Sequence, residues 1–254
     1  MKKTLLTIIV SLIGAMVSVS WAQEAPIKVA CVGNSITEGV GTKSKKTESY
    51  PAVMQRIMGE KYEVKNFGYS GRTMLNKGDR PYMKEDRFRK ALAFHPDIVT
   101  IKLGTNDSKP WNWKFKDEFK TDMCAMIDSF QMLPSKPQVY LCLPVPPVYA
   151  RWTITDSVVH DEVIPMILEV AKERNLPVID LYTPLKPYPE LFPDSIHPNR
   201  GGAAVIAEEV ARRIMMDVQK AELQGVDLKT SIEASLSGDE KAIKPKRLKR
   251  KNRK

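Results

Sequence analysis

The chain has 254 residues, of which 43% are hydrophobic and 28% are charged, as in an ordinary globular protein with one domain and short additions. The formal net charge is +10, but eleven basic residues account for it: Lys2, Lys3 and nine Lys or Arg between Lys241 and Lys254. Without them residues 23–240 carry about −1, so composition argues against a nucleic-acid-binding body.

Residues 1–22 have the pattern of a signal peptide. Lys2 and Lys3 precede an apolar run from Leu5 to Val19, and Ser20-Trp21-Ala22 places small residues at the −3 and −1 positions of a cleavage site. We therefore expect cleavage after Ala22 and export to the periplasm or the cell exterior. The alternative is an uncleaved membrane anchor, but the run is short for a span of about 20 residues.

Apolar runs of strand length alternate with segments of helical period in the rest of the chain. The predicted strands are Ile27–Val32, Tyr62–Phe67, Ile98–Leu103, Val139–Leu143 and Val178–Leu181. The predicted helices lie near Pro51–Gly59, Lys84–Phe94, Phe115–Phe130, Val158–Arg174 and Gly202–Val218. The third and fourth strands are almost entirely apolar, which is typical of a parallel sheet covered on both faces. We expect an α/β fold, a three-layer α/β/α sandwich with a five-stranded parallel sheet, over residues 23–218, followed by a polar linker and basic tail over 219–254.

The cysteines and histidines argue against a disulfide framework and a metal centre. Cys31, Cys124 and Cys142 are too few and odd in number for such a framework, although the sequence does not decide whether two of them pair. The histidines, at 95, 160 and 197, do not form pairs with metal-ligand spacing. We expect the protein to work without a metal or other cofactor.

Ligands of such folds bind beyond the carboxyl ends of the strands, and the loop after the first strand opens with Gly33-Asn34-Ser35-Ile36-Thr37. A serine that starts a helix directly after a strand exposes its backbone N–H in the positive field of the helix end, which favours an oxyanion beside it. Ser35 is therefore a candidate nucleophile. Taken alone, the segment is also compatible with a simple helix N-cap.

The loop after the fifth strand contains Asp194-Ser195-Ile196-His197. A serine hydroxyl needs a base to take its proton, and the base needs a carboxylate to fix its tautomer. An Asp and a His three residues apart can supply both on one turn. A helix-capping Asp with an unrelated His is the alternative for this pair alone.

Two further loops offer donors for an oxyanion. Asn66–Thr73 follows the second strand and contains two glycines, which let a backbone N–H approach a substrate closely. Gly104–Asp107 follows the third strand, and the side-chain amide of Asn106 is a second donor. Either loop alone is also compatible with a plain turn.

Taken together, Gly33–Thr37, Asn66–Thr73, Gly104–Asp107 and Asp194–His197 occur in the order and at the strand ends of the conserved blocks of the SGNH (GDSL-like) hydrolases. The chain resembles that family over about residues 27–216. The resemblance implies a flavodoxin-like SGNH fold and a catalytic triad of Ser35, Asp194 and His197. It also implies an oxyanion hole formed by the N–H groups of Ser35 and Gly71 and the amide of Asn106.

One departure from the family pattern is Asn34, which stands where the name-giving motif has Asp. Within the family, the chain looks most similar to secreted carbohydrate O-acetylesterases, including those of the sialate type. We expect a serine esterase that removes O-acetyl groups from a small-molecule or glycan ester through an acyl-enzyme. The alternatives are a lipid or thioester hydrolase on the same scaffold and an inactive glycan-binding protein.

Aromatic and basic residues in the loops around these blocks are candidates for binding the sugar. They are Arg72, Trp111, Trp113, Tyr149, Arg151 and Trp152. Rings with polar tips suit half-exposed sites, although the same rings are also suited to packing the loops onto the body. The basic run at 241–254 is typical of a solvated tail, with weak contact to an anionic envelope surface as the alternative. The sequence does not indicate an oligomeric state.

Overall fold

The computed structural model describes residues 25–224, so the predicted signal peptide and the basic run lie outside the described residues. A single five-stranded sheet forms the centre of this part of the chain. Its strands are β1 Ile27–Gly33, β2 Tyr62–Gly68, β3 Ile98–Lys102, β4 Gln138–Cys142 and β5 Val178–Ile179. All neighbours are parallel, in the order β2-β1-β3-β4-β5. The predicted three-layer α/β fold is therefore confirmed.

Helices lie in the five predicted places, four of them between strands and one after β5, together with shorter helices that were not predicted. They are α1 Ser35–Glu38, α2 Lys45–Glu48, α3 Tyr50–Met58, α4 Asp86–Ala93, α5 Pro110–Trp113, α6 Phe119–Gln131, α7 Asp156–Val158, α8 Ile164–Glu173 and α9 Arg200–Leu223. Three-residue 3₁₀ turns precede α4 and α6, which is why these helices begin later than predicted. Among residues 25–224, no helix combines the length and apolar composition needed to cross a bilayer.

Three predicted boundaries differ from the structure for local reasons. The fifth strand ends at Ile179, not Leu181, because the side chain of Asp180 accepts hydrogen bonds from the backbone N–H groups of residues 182 and 183 and turns the chain away. The fourth predicted helix is interrupted by a π-helical turn, Val159–Val163, since Pro165 lacks an N–H to continue the α-helical ladder. The last helix continues to Leu223, not Val218, through residues with good helix propensity.

The core consists of two apolar layers, one on each face of the sheet. Because side chains alternate along a strand, Ala30 and Val32 of β1 face α4, α6 and α8, whereas Val29 and Cys31 face α3 and α9. Each large apolar side chain buried in these layers contributes roughly 1.5–3 kcal/mol. Cys31, Cys124 and Cys142 are free thiols, and burial raises the pKa of Cys31 and Cys142 to about 12.

The strand register places three loops at the same level of one sheet edge. Gly33 at the end of β1 pairs with Gly68 of β2 on one side and with Lys102 of β3 on the other. A Cβ at Gly68 would lie 2.2 Å from the backbone nitrogen of Glu38, so the missing side chain lets α1 rest directly on the strand ends. The chain that follows β1 therefore lies between the loops after β2 and β3.

Candidate active site

Ser35 is the first residue of α1 and lies immediately beyond the end of β1. The side chain of Asn34 accepts a hydrogen bond from Ile36 N at 3.1 Å and caps this short helix. The carboxylate of an Asp at position 34 would make the same bond, so the departure from the family motif leaves the local fold intact. Ser35 is 8% exposed, so it is nearly buried at the edge of the sheet where the loops meet.

A continuous hydrogen-bonded chain joins Ser35 to the loop after β5. The Ser35 Oγ lies 2.8 Å from Nε2 of His197, and Nδ1 of His197 lies 2.7 Å from Oδ2 of Asp194. A carboxylate at Nδ1 favours the tautomer with the proton on that nitrogen, which leaves the lone pair of Nε2 directed at the serine hydroxyl. This arrangement can take a proton from Ser35 and return it.

The Asp194 carboxylate is held by its own turn. Its Oδ1 accepts hydrogen bonds from the backbone N–H groups of Ile196, at 3.0 Å, and His197, at 2.7 Å, while Ser195 adopts φ +72°. Partial burial acts to raise the pKa of Asp194, but the hydrogen bonds from His197 and Ile196 outweigh it and lower the pKa below its ordinary value. The carboxylate therefore stays ionised and oriented.

The predicted oxyanion donors lie in the neighbouring loops. Gly71 adopts φ +78° in the loop after β2. Asn106 is 6% exposed in the loop after β3, where its Nδ2 donates to the carbonyl of Arg72 at 3.1 Å. The carbonyl of Asn106 in turn accepts from Nδ2 of Asn112 at 2.9 Å. The amide of Asn106 is thus bonded to Arg72, which directly follows Gly71. This bond fixes the relative position of the two predicted oxyanion donors.

Asp107 ties these two loops together and was missed by the sequence analysis. Its carboxylate accepts hydrogen bonds from the N–H groups of Met74 at 3.1 Å, Leu75 at 2.8 Å and Gly104 at 3.1 Å. Complete burial raises the pKa of Asp107 to about 6, against the lowering effect of these backbone donors. Its place beside Asn106 is the signal that could have indicated this role.

Glu38 is a second tether that the sequence analysis missed. Its Oε2 accepts from the backbone N–H of Ser70 at 2.8 Å and from the Ser70 hydroxyl, and its Oε1 accepts from Lys45 at 2.8 Å. Partial burial acts to raise the pKa of Glu38, but the hydrogen bonds from Lys45 and Ser70 lower it overall. These bonds join the helix of Ser35 to the residue before Gly71.

Four of the six predicted sugar-binding residues have exposed side chains. Trp152 is 49% exposed, and its ring is tilted over that of His197 with 5.6 Å between centroids. The guanidinium of Arg151 lies 4.7 Å from the Trp152 ring, and Tyr149 is 75% exposed. Trp111 is half-exposed, and its Nε1 donates to Asp79 at 3.2 Å.

The remaining two do not match that expectation. Trp113 is buried: its ring packs edge-on against Phe119, and its Nε1 donates to Glu162 at 2.9 Å. Residues 111 and 113 lie about 200° apart around the single turn of α5 and therefore face opposite ways. Arg72 is also largely enclosed, since its guanidinium is paired with Glu85 at 2.9 Å.

Arg72 instead serves to hold the loop after β2. Its guanidinium donates to the Ser70 carbonyl at 2.7 Å and stacks on the Tyr69 ring at 3.4 Å. Within residues 25–224, no three His, Cys, Asp or Glu side chains form a group that could hold a metal ion. His95 lies in the connection before β3, and His160 lies in the π-helical turn.

Comparison with known proteins gives one family and several relatives. The model of the GDSL-like lipase/acylhydrolase family matches residues 31–205. An acetylxylan esterase of Xylanibacter ruminicola is 45% identical over a region covering 78% of this chain and 45% of the relative. The chain thus spans less than half the length of that relative.

Solved structures share the fold at low sequence identity. A structure of an acetyl xylan esterase has a TM-score of 0.58 at 24% identity and covers 74% of this chain and 100% of its own. A carbohydrate acetylesterase from Sinorhizobium meliloti has a TM-score of 0.59 at 18% identity and covers 74% and 98%, respectively. At such identities the likeness concerns the fold alone.

Proposed function

We propose, starting from the fact that this chain belongs to the GDSL-like lipase/acylhydrolase family, that it is a serine esterase that removes O-acetyl groups from carbohydrates. The observation that carries this proposal is the hydrogen-bonded chain Ser35–His197–Asp194 at the carboxyl edge of the sheet. The relative named acetylxylan esterase supports a carbohydrate substrate.

In the proposed mechanism, Ser35 Oγ attacks the ester carbonyl while its proton passes to Nε2 of His197. The carboxylate of Asp194 stabilises the imidazolium that forms. The N–H groups of Ser35 and Gly71 and the amide of Asn106 stabilise the oxyanion, and one such donor is typically worth about 10²–10³ in rate.

The tetrahedral intermediate then collapses. His197 returns the proton to the leaving sugar oxygen, and the acetyl group remains as an ester on Ser35. Water repeats the sequence: it loses a proton to His197, attacks the acyl-enzyme and releases acetate, and Ser35 recovers its proton. The loop tethers Glu38 and Asp107 keep the donors in place during both halves of the reaction.

The side chains around the site favour a short acyl group on a polar alcohol. Exposed side chains beside His197 include the aromatic ring of Trp152 and the charged group of Arg151. Among acetylated sugars, the name of the relative favours an acetylated xylan. A 9-O-acetylated sialic acid is a second substrate to include in a screen.

We also propose that the protein is exported. Lys2, Lys3, the apolar run to Val19 and the small residues at positions 20 and 22 support a cleaved signal peptide. A polysaccharide substrate outside the cell agrees with this location. N-terminal sequencing of the exported protein should begin at Gln23, and an intact N-terminus would contradict the proposal.

Hydrolysis of 4-nitrophenyl esters tests the function. Ser35→Ala should lower kcat/KM for the acetyl ester by at least about 10³-fold, because the nucleophile is gone. Ser129→Ala is the matched control, since the Ser129 hydroxyl only donates to the Ala125 carbonyl within α6. This control should keep the full rate.

Acyl-chain length separates the esterase from a lipase. A groove for an alkyl chain would gain about 0.8 kcal/mol, or roughly fourfold in kcat/KM, for each added CH₂. We expect the rate to fall from acetyl to butyryl and octanoyl esters, together with acetate release from acetylated xylan. A steady rise towards octanoyl would instead identify a lipid hydrolase.

A further inference from the structure

The loop after β4 contains a two-residue hairpin turn whose residues do not suit it. The backbone N–H of Arg151 donates to Ile154 O at 3.1 Å, and that of Ile154 donates to Arg151 O at 2.9 Å. Trp152 and Thr153, the two central residues, have φ +50° and φ +62°. Positive φ at both positions is the pattern of a type I′ turn, for which Asn-Gly is the preferred pair. We call residues 151–154 the Trp152 turn.

Both central residues are strained. A bulky aromatic and above all a β-branched threonine rarely adopt positive φ, because the side chain crowds the backbone there. Backbone strain of this kind persists only where the surrounding structure holds it, and it occurs preferentially at functional sites. We therefore expect Trp152 and Thr153 to serve a function that a relaxed Asn-Gly turn would not serve.

The base of the turn is fixed to the segment that carries the catalytic histidine. Ile154 is buried in a small apolar cluster with Val159 and Ile196, and Ile196 directly precedes His197. In addition, the backbone N–H of Val148 donates to Ser195 O at 2.9 Å. The Trp152 turn and the Asp194–His197 turn thus form one packed unit.

The turn places the Trp152 ring beside the group that protonates the leaving alcohol. The ring is tilted by 56° to that of His197 at 5.6 Å between centroids, yet half of Trp152 remains exposed. The guanidinium of Arg151 lies over the same ring at 4.7 Å. Because His197 must reach the leaving oxygen, the sugar that carries the acetyl group has to lie on this side of Ser35.

We propose that the Trp152 side chain binds the leaving sugar and determines specificity for a pyranose ring. A pyranose presents a face of C–H groups that packs against a flat aromatic ring, while its hydroxyls remain in water. The packing of Ile154 against Ile196, together with the bond from Val148 N to Ser195 O, holds the turn and its ring in place before substrate arrives, which reduces the entropy lost on binding. This inference rests on the proposed function.

The double variant Trp152→Asn/Thr153→Gly tests the idea, since it keeps the turn type and removes the ring. Relief of the strain should raise the melting temperature by about 2–4 °C, the shift expected for a modest gain in a domain of this size. The kcat/KM for an acetylated xylo-oligosaccharide should fall at least tenfold. For ethyl acetate, whose leaving group has no ring, it should fall by a clearly smaller factor.

Thr153→Gly alone is the matched control, because it relaxes the turn and keeps the ring. It should gain stability and keep at least half of the wild-type kcat/KM for the oligosaccharide. If the double variant also keeps the oligosaccharide rate, Trp152 does not bind the sugar. If the double variant loses both substrates equally, Trp152 positions His197, and the proposal is wrong.

A binding measurement separates this inference from the proposed reaction. In a Ser35→Ala background, titration with the acetylated oligosaccharide should change the tryptophan fluorescence, and the change should disappear when Trp152→Asn/Thr153→Gly is added. Wild-type protein that releases acetate from neither substrate would refute the esterase proposal. Absence of any fluorescence change in the Ser35→Ala protein would refute sugar binding by Trp152.

Discussion

Lys102 ends β3 with a side chain that is completely buried. By alternation along the strand it faces the layer of α3 and α9, which also contains Cys142. In the part of the chain that the structure describes, its Nζ has no hydrogen-bond partner. Burial lowers the pKa of Lys102 to about 7, and a Cys142 thiolate would only partly oppose this.

Lys102→Met should therefore stabilise the protein at neutral pH. A buried, unpartnered polar group costs about 1–3 kcal/mol, and methionine fills a similar volume without it. The pKa is about 7 in the folded protein and 10.5 ordinarily. Between these values the unfolded chain holds a proton that the folded protein lacks, so the wild type gains stability as pH rises.

The increase in the free energy of unfolding caused by Lys102→Met should accordingly be largest at pH 7 and below, and it should shrink as the pH approaches 10.5. Urea unfolding of variant and wild type across pH 6–10 measures it. Lys172→Met, at an exposed position of α8, is the control and should stay within about 0.5 kcal/mol at every pH. A gain that grows with pH would contradict the assignment of Lys102 as a buried, mostly neutral amine.

At the residue scale, the meeting of Ser35, His197 and Asp194 could be predicted because chemistry restricts the residue type. A triad needs a serine, a histidine and a carboxylate, and the short spacing of Asp194 and His197 made their meeting predictable. Prediction from sequence failed for Trp113, because the direction of one side chain on a single helical turn depends on the packing around it. The partners of Asp107 lie up to 33 residues away in the chain, a separation that no local pattern encodes.

At the scale of elements, the strands were predictable because parallel strands buried on both faces are recognisable apolar runs. The ends of the strands and helices were harder to predict than the strands themselves. After β5, the side chain of Asp180 turns back and accepts hydrogen bonds from the nearby backbone, which end the strand. In α8, Pro165 lacks the N–H that an α-helical hydrogen bond needs. One or two hydrogen bonds, formed or missing, therefore set each boundary. Such local bonds move a boundary by a few residues and leave the fold unchanged.

The loop after β1 contacts the histidine turn through Gly41. Gly41 has φ +96°, and a Cβ there would lie 2.5 Å from Pro198 O and 2.9 Å from the His197 Cβ. Gly41→Ala should therefore displace His197 from Ser35 and lower kcat at least tenfold, since about 1 Å of misplacement costs around 10²-fold. Kinetics on 4-nitrophenyl acetate measure this effect.

Gly59→Ala is the control that separates the steric contact with His197 from the cost of placing alanine at a positive φ. Gly59 has φ +70°, also positive, but a Cβ there would meet nothing within 4 Å. Both variants should lose about 1–3 kcal/mol of stability from the strained φ, whereas only Gly41→Ala should lose kcat. Equal losses of kcat would show that general destabilisation, not the displacement of His197, explains the effect.

At the scale of the whole molecule, the excess positive charge lies outside the residues that the structure describes. The two apolar layers and all three triad residues lie within residues 25–224. The nine basic residues of the C-terminal run lie outside that range, and the body between the two basic segments carries about −1. The proposed catalytic residues and the excess positive charge therefore lie in different parts of the chain.

Deletion of Lys241–Lys254 tests this division. It should leave kcat/KM for a small neutral ester within twofold of the full chain, because every residue assigned to the reaction remains. Binding to vesicles of anionic lipid should weaken, since each basic residue near such a surface contributes about 1 kcal/mol. The difference should disappear when salt is raised from about 0.02 M to 0.5 M, because screening shortens the reach of exposed charges. Vesicle co-sedimentation measures binding, and a large loss of esterase activity would mean that the basic run acts on the site.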